Sequence, residues 1–557
     1  MCAAGGAHSK ATAAHIPAGR AAPSRAAPFR AAPFRAAPVL RAPNREPRQP
    51  PPRRSLPGSM LLLALLLAVF TATSALSDAT APPPLRPRIH YAPPCINDAG
   101  GGSRDIAAAV TDPSGTHHVW QLCGAGWHHA TSLDLVHWTG VGIGPDDWPS
   151  GFAVINPNNG SICAGLRGSS EAGRPWDAPL VLRCASDAAA TTWGAPVPLF
   201  DVSYYRMLPY DPFQPFVDDD GQWYVGVAVD GCNSTTRAVP CGAGGQVDLW
   251  AAPSLLGPWR RLAQPMFRSN RTVFGTNGTN TEAHELVTMA FARMPGTGYK
   301  LLLNNPYYAR GSTEYWIGKQ ANGSPFVAMK QGMLDWGEFT LAAGAGAGTG
   351  VGVAALNASK PNPSGGRMGM TRLLGVGQRV VAFGWVSGAL NAMSLPRDLT
   401  LDETGGGVRL LQAFSGEIRA LRRRHWRLDG VGSSVPSAGQ QLEIFARFTS
   451  RSSRGEFGVR VLESDSGEAT DIVVLPGRRV VCINGTRQGA TASRCGPLND
   501  AASHHLHIIV DHSLVVLIAD NVTSVTASVR PSNSTVGVRM LGDAGGVADI
   551  WQLQGTH

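Results

Sequence analysis

The chain has 557 residues, room for two or three domains that each bury a core. Its formal charge of +9 is unevenly spread: residues 1–59 hold ten Lys or Arg against one Glu, a surplus equal to that of the whole chain. The rest is close to neutral, which excludes nucleic acid or another polyanion as the partner of the folded part.

Residues 1–59 are low in complexity, with Arg20, Arg25, Arg30 and Arg35 heading the near-repeats RAAPS, RAAPF, RAAPF and RAAPV. Proline at every fifth position blocks helix and sheet alike, so the segment is expected to be disordered. Met60 then opens an apolar run to Phe70, followed by the small residues Thr71, Ala72, Thr73, Ser74 and Ala75. With Arg53 and Arg54 as its positive flank, 60–76 has the layout of a secretory signal cleaved after Ala75. It is also just short of a comfortable span, so an uncleaved signal anchor is the alternative, and only then would a membrane be a partner. The first reading makes the protein secreted, extracellular or vacuolar. The second anchors it with the folded part on the lumenal or outer side.

From about residue 105 onward the pattern is all-β. Short runs such as HHVWQL, APLVLRC, GQWYVGVAV, YKLLLNN, RVVAFGWV and EIFARF are separated by Gly, Pro, Asn and Asp. One sheet cannot absorb so many strands, so radial blades or stacked sheets are required. Aside from Cys2 there are eight cysteines without CxxC spacing, which speaks against zinc. In an oxidising compartment the near pairs Cys232 with Cys241 and Cys482 with Cys495 are candidate disulfides. Nine Asn-x-Ser/Thr sites, among them Asn159, Asn322, Asn484 and Asn521, mark surface loops of an exported glycoprotein.

Three acids stand out: Asp98 in CINDAGG, Asp211 in LPYDPF and Glu282 in TEAHEL. Together they supply the nucleophile, helper and acid that cleavage of a glycosidic bond needs. The local alternative is turn chemistry, since Asp beside Gly or Pro also shapes loops. The surrounding sequence, in HHATSLDLVHW (128–138), LDWGEF (334–339), MSLPRDLTLD (393–402) and VDHS (510–513), resembles glycoside hydrolase family 32, the invertases and fructan hydrolases, in the family's order from about residue 90 to the end. The resemblance implies a five-bladed β-propeller over 85–424 and a β-sandwich over 425–557, joined by GEIRALRRRHW (416–426).

It also implies roles. Asp98 matches the nucleophile of the family's WMNDPNG motif, Asp211 the aspartate of RDP that grips fructose hydroxyls, and Glu282 the acid/base of EC, whose pKa must be raised to donate a proton near neutrality. By the same resemblance Asn97, Gln121, Ser150 and Tyr210 line the fructose subsite. Trp127 is either a sugar-stacking ring or a structural tryptophan. The chain departs from the family where Cys95 and Ile96 replace Trp and Met, Ala99 and Gly100 replace Pro and Asn, Tyr210 replaces the arginine of RDP, and Ala283 replaces the cysteine of EC. A tyrosine replaces only one donor of the guanidinium fork.

No cofactor and no metal are expected. Asp218, Asp219, Asp220 and Gly221 lack the spacing of a calcium loop and read as a hairpin turn. The doublets His117/His118, His128/His129 and His504/His505 put neighbours on opposite strand faces, where a pair cannot chelate one ion. The expectation is a retaining enzyme that releases fructose from sucrose or small β-fructans. The alternatives are a non-catalytic carbohydrate-binding propeller, or a fructosyltransferase using the same carboxylates.

Overall fold

The computed structural model describes residues 86–94, 103–123, 126–144, 151–167, 179–201, 209–230, 245–268, 288–305, 313–337, 368–376, 378–386, 392–449, 455–487, 490–542 and 545–556. The basic segment and the apolar run at 60–76 lie outside them. Among the described residues no helix is long and apolar enough to cross a membrane.

Five antiparallel sheets follow one another along the chain, within 103–143, 152–200, 209–268, 288–333 and 368–414, and we number these blades 1 to 5. Strands with apolar residues on both faces need cover on both sides. Five separate clusters provide it, each bridging two blades. Trp120, Trp127 and Leu122 of blade 1 pack on Ala153, Ile162, Ala164 and Leu166 of blade 2. Phe200 of blade 2 stacks on Trp250 of blade 3 with ring centroids 4.1 Å apart. Phe213 and Phe267 meet Phe291 and Trp316 of blade 4, and Leu301, Leu303 and Ile317 meet Leu373, Val380 and Leu399 of blade 5. The last cluster joins Val381, Phe383 and Met393 of blade 5 to Ile106, Val119 and Trp138 of blade 1. That contact closes the ring, so the fold is a five-bladed propeller followed by a sandwich.

The sandwich is two six-stranded antiparallel sheets. Arg422–Asp429 is at one edge of the first sheet and Thr523–Ser528 at the other; the second runs from Ser434–Val435 to Ala490–Pro497. Period-two alternation builds its core: along Gln441–Thr449, Leu442, Ile444, Ala446 and Phe448 point inward against Phe457, Val459 and Ile472 of the opposite sheet. A short 3-10 helix, Gly416–Leu421, leads from blade 5 into the first strand.

Propeller and sandwich meet on an apolar patch and a buried polar seam. Ile89, Val386, Leu395 and Phe414 pack on Ile509, Leu514, Val516 and Ile518. Beside them Arg397 and Asp335, each 1% exposed, pair at 3.0 Å. Asp335 accepts hydrogen bonds from the hydroxyls of Ser524 (2.8 Å) and Thr526 (2.7 Å), and the Trp336 N–H donates to the Ser524 carbonyl at 2.8 Å. Two of the family-like segments, LDWGEF and MSLPRDLTLD, thus supply the propeller side of this seam.

Cys482 and Cys495 form a cross-strand disulfide, as their spacing suggested. Cys163 and Cys184, a pair the spacing did not single out, join two strands of blade 2, and Cys123 is disulfide-bonded as well. Cys232 and Cys241 lie outside the described residues.

Candidate active site

The innermost strands of the blades are Ser103–Thr111, Phe152–Ile155, Pro209–Pro212, Thr288–Arg293 and Met368–Val376, and they surround one axial channel. Ala108, Ala153, Gln214, Ala290 and Leu373, one from each blade, meet at its waist, where a cavity of about 10 Å³ has room for a single water. Beyond the waist it widens to about 290 Å³ between Thr111, Ile155, Phe216, Trp223 and Gly375.

Residue numbers fix the direction of the strands. Ala108 precedes Thr111, Ala153 precedes Ile155, Gln214 precedes Phe216 and Leu373 precedes Gly375, each time from the waist toward the wide opening. The N-terminal ends of the inner strands of blades 1, 2, 3 and 5 therefore face the opposite mouth. Asp211 belongs to such an end: the main chain of Pro209–Pro212, which also contains Tyr210, pairs with Trp223–Asp230 through Pro212↔Val227 and Pro209↔Val229. Asn97, Asp98, Ser150 and Glu282 lie outside the described residues, as do the side chains of Tyr210 and Asp211.

Gln121 and Trp127 are described. Gln121, 1% exposed, sits in the second strand of blade 1 opposite Ile106 of the innermost strand. Trp127 has no exposed surface. Its ring packs so closely that a Cβ built on Gly151 would lie 3.0 Å from the indole and one on Gly144 would lie 2.8 Å from its Cβ. A ring without an accessible face offers a sugar nothing to stack on.

The histidine doublets of blade 1 do separate their members. His118 and His129, from different doublets, meet with Nδ1 and Nε2 3.0 Å apart, and His129 stacks on Trp120 at 4.4 Å. Asp112 approaches the far nitrogen of His118 at 3.5 Å. Burial, assisted by the neighbouring His118 and His128, pushes the pKa of His129 down to about 3. His128 instead bonds Tyr91 (Nε2 to hydroxyl, 2.7 Å), whose own pKa burial raises to about 12. This network was invisible in sequence apart from the doublets themselves. Among the described residues no group of three or more His, Cys, Asp or Glu is arranged to hold a metal ion.

The acidic run is a hairpin turn: the Asp218 N–H donates to the Gln222 carbonyl at 3.1 Å and the Gly221 N–H to the Asp218 carbonyl at 3.0 Å. Asp218 is buried against Lys300, both carboxylate oxygens lying 2.9 Å from Nζ. Burial alone would raise its pKa, but Lys300, the Asn322 N–H and Arg293 outweigh it and hold the pKa below the usual range.

Residues 417–554 match the family profile described as glycosyl hydrolases family 32, C-terminal. Solved structures with the same fold include the exo-inulinase of Aspergillus awamori (17% identity, TM-score 0.62, covering 85% of this chain and 99% of that one). Fructan 1-exohydrolase IIa of Cichorium intybus is also similar (17%, 0.61, 84% and 97%), as is sucrose-6-phosphate hydrolase of Lactobacillus gasseri (17%, 0.62, 86% and 95%). No curated protein sequence matches.

Proposed function

We propose that the chain is a member of glycoside hydrolase family 32, whose C-terminal model matches residues 417–554 and whose fold it shares, and that it is a retaining glycosidase releasing fructose from sucrose or small β-fructans. One observation carries the reading most: Asp211 begins the inner strand of blade 3, and Asp98 and Glu282 come five and six residues before the inner strands of blades 1 and 4 in the sequence. On this reading the three carboxyls, remote in sequence, meet at one mouth. There Asp98 attacks C2 of the fructosyl unit, the bond from C2 to the leaving oxygen breaks, and Glu282 gives that oxygen its proton. Glu282 then takes a proton from the water that releases fructose, while Asp211 holds ring hydroxyls. Asn97, Gln121, Ser150 and Tyr210 complete the subsite, with Trp127 supporting it from behind. A 1-kestose complex of the Cichorium intybus exohydrolase supports a fructan-type ligand. The disulfides fit passage through the secretory pathway, and we propose 85–424 and 425–557 as the two domains.

The test is release of reducing sugar from sucrose and inulin by the purified chain beside Asp98→Asn and Glu282→Gln. Asp98→Asn should fall to background and Glu282→Gln by roughly 10²–10⁴-fold. An Asp98→Asn protein as active as its parent would overturn the assignment.

Tyr210, where the family carries arginine, favours a second reading: a propeller that binds sugar without cleaving it. That reading wins if the parent binds fructose-containing sugars but releases none. Fructosyl transfer would instead show as longer oligosaccharides at high sucrose.

A further inference from the structure

The segment that enters blade 1 is fastened to the sandwich. The Arg88 N–H donates to Oδ1 of Asp511 at 2.8 Å, and the N–H groups of Ile89 and His90 donate to Oδ2 at 2.8 and 2.9 Å. The His90 ring adds Nδ1 at 2.9 Å from the same Oδ2. Neither side chain of the His90–Asp511 pair is accessible. Thr556, near the other end of the chain, donates its N–H to the Arg88 carbonyl at 2.8 Å. On the propeller side the Met393 N–H donates to the Tyr91 carbonyl at 2.8 Å, and the Tyr91 hydroxyl meets His128. Ile89, 1% exposed, plugs the apolar contact between the two domains. Every residue from 88 to 91 is held, and three consecutive backbone donors plus one ring nitrogen converge on one carboxylate.

Asp98 follows Tyr91 by seven residues, and Ser103 opens the innermost strand of blade 1 five residues later. In the sequence Asp98 thus lies between residues 88–91, which a carboxylate of the C-terminal module holds, and the innermost strand of blade 1. We infer that Asp511 is a positioning residue: through residues 88–91 it fixes one end of the segment carrying the nucleophile, so the sandwich contributes to the reaction without touching substrate. The inference rests on the reading of Asp98 as nucleophile. A displacement of about 1 Å at a reacting group costs on the order of 10²-fold in rate, and a slackened anchor permits that much.

The experiment compares the full chain with Asp511→Asn, His90→Gln and Asp98→Asn by sucrose kinetics, thermal melting, and hydrogen exchange of the peptide spanning 92–102. In Asp511→Asn the amide nitrogen opposes at least one of the backbone donors. At a temperature where circular dichroism shows the variant folded, kcat should fall by about 10²-fold with KM changed far less, and exchange in 92–102 should quicken while blades 3 and 4 stay protected. A clamp serving stability alone would lower the melting temperature and leave kcat and that exchange at parental values, which would overturn the inference. Should Asp511→Asn not fold, His90→Gln keeps the carboxylate and its main-chain bonds. It should lose several-fold in kcat, and parental kcat and exchange there would be equally fatal. If Asp98→Asn retains parental activity, the nucleophile assignment is what fails, and the exchange result still decides whether Asp511 anchors the segment.

Discussion

The two halves of the molecule bury their cores differently. Between the sheets of the sandwich lies one continuous cluster, apolar throughout, in which Phe448, Phe457, Val459 and Ile508 have almost no exposed surface. The propeller divides its interior into five thinner clusters between blades, while both halves bury polar groups beside their cores, His118 and Lys300 in the propeller and Glu443 and Asp511 in the sandwich. A continuous apolar core makes a rigid support. A ring of separate blades presents loops around its axis, where binding and chemistry are commonly placed.

Three measurements would break or sharpen this contrast. The largest effect belongs to the sandwich: Phe448→Ala opens a cavity in the one core it has and should cost about 3–5 kcal/mol in urea unfolding. A loss below 1 kcal/mol would mean that the cluster does not act as a unit. The next effect belongs to blade 1. His129 stays neutral in the folded chain down to about pH 3 but accepts a proton near pH 6.5 once unfolded. Its contribution is intact above pH 6.5, declines as the pH falls through the window from about 6.5 to 3, and ends there. The slope is at most about 1.4 kcal/mol per pH unit for one proton. His129→Phe, which keeps a ring against Trp120, should melt at a lower temperature at pH 7 but with a flatter pH dependence; an unchanged slope would place the titration elsewhere. The smallest effect is at the sandwich surface, where Arg479 and Asp500 pair at 3.3 Å with both side chains more than two-thirds exposed. Arg479→Ala should change stability by less than about 1 kcal/mol.

Much of the fold was readable because β-structure writes its period directly into sequence. The alternation in LEIFARF is the inward row of Leu442, Ile444, Ala446 and Phe448, and the Asp-Gly signal at 220–221 is the turn. Cys482 and Cys495 were legible because one hairpin separates them by 13 residues. Cys163 and Cys184, 21 apart with the rest of a hairpin between, gave no such cue. The segments LDWGEF, MSLPRDLTLD and VDHS were legible as resemblance only. That Asp335, Arg397 and Asp511 bind one domain to the other is a property of the assembled surfaces, since their partners across the seam, Ser524 for the first two and Ile89 for the third, lie more than 100 residues away along the chain. For the proposed site, sequence order singled out the acids, and the fold adds only that Asp211 begins an inner strand of the ring. Trp127 shows the limit of that reading, because composition cannot tell a ring facing sugar from a ring sealed behind it.

The constriction formed by Ala108, Ala153, Gln214, Ala290 and Leu373 makes the proposed catalytic mouth a pit with a floor. Among the described residues the space at that point holds about one water molecule, so on the proposed reading a liberated sugar would leave by the side it entered. On that reading each departing product would stand in the doorway of the next substrate.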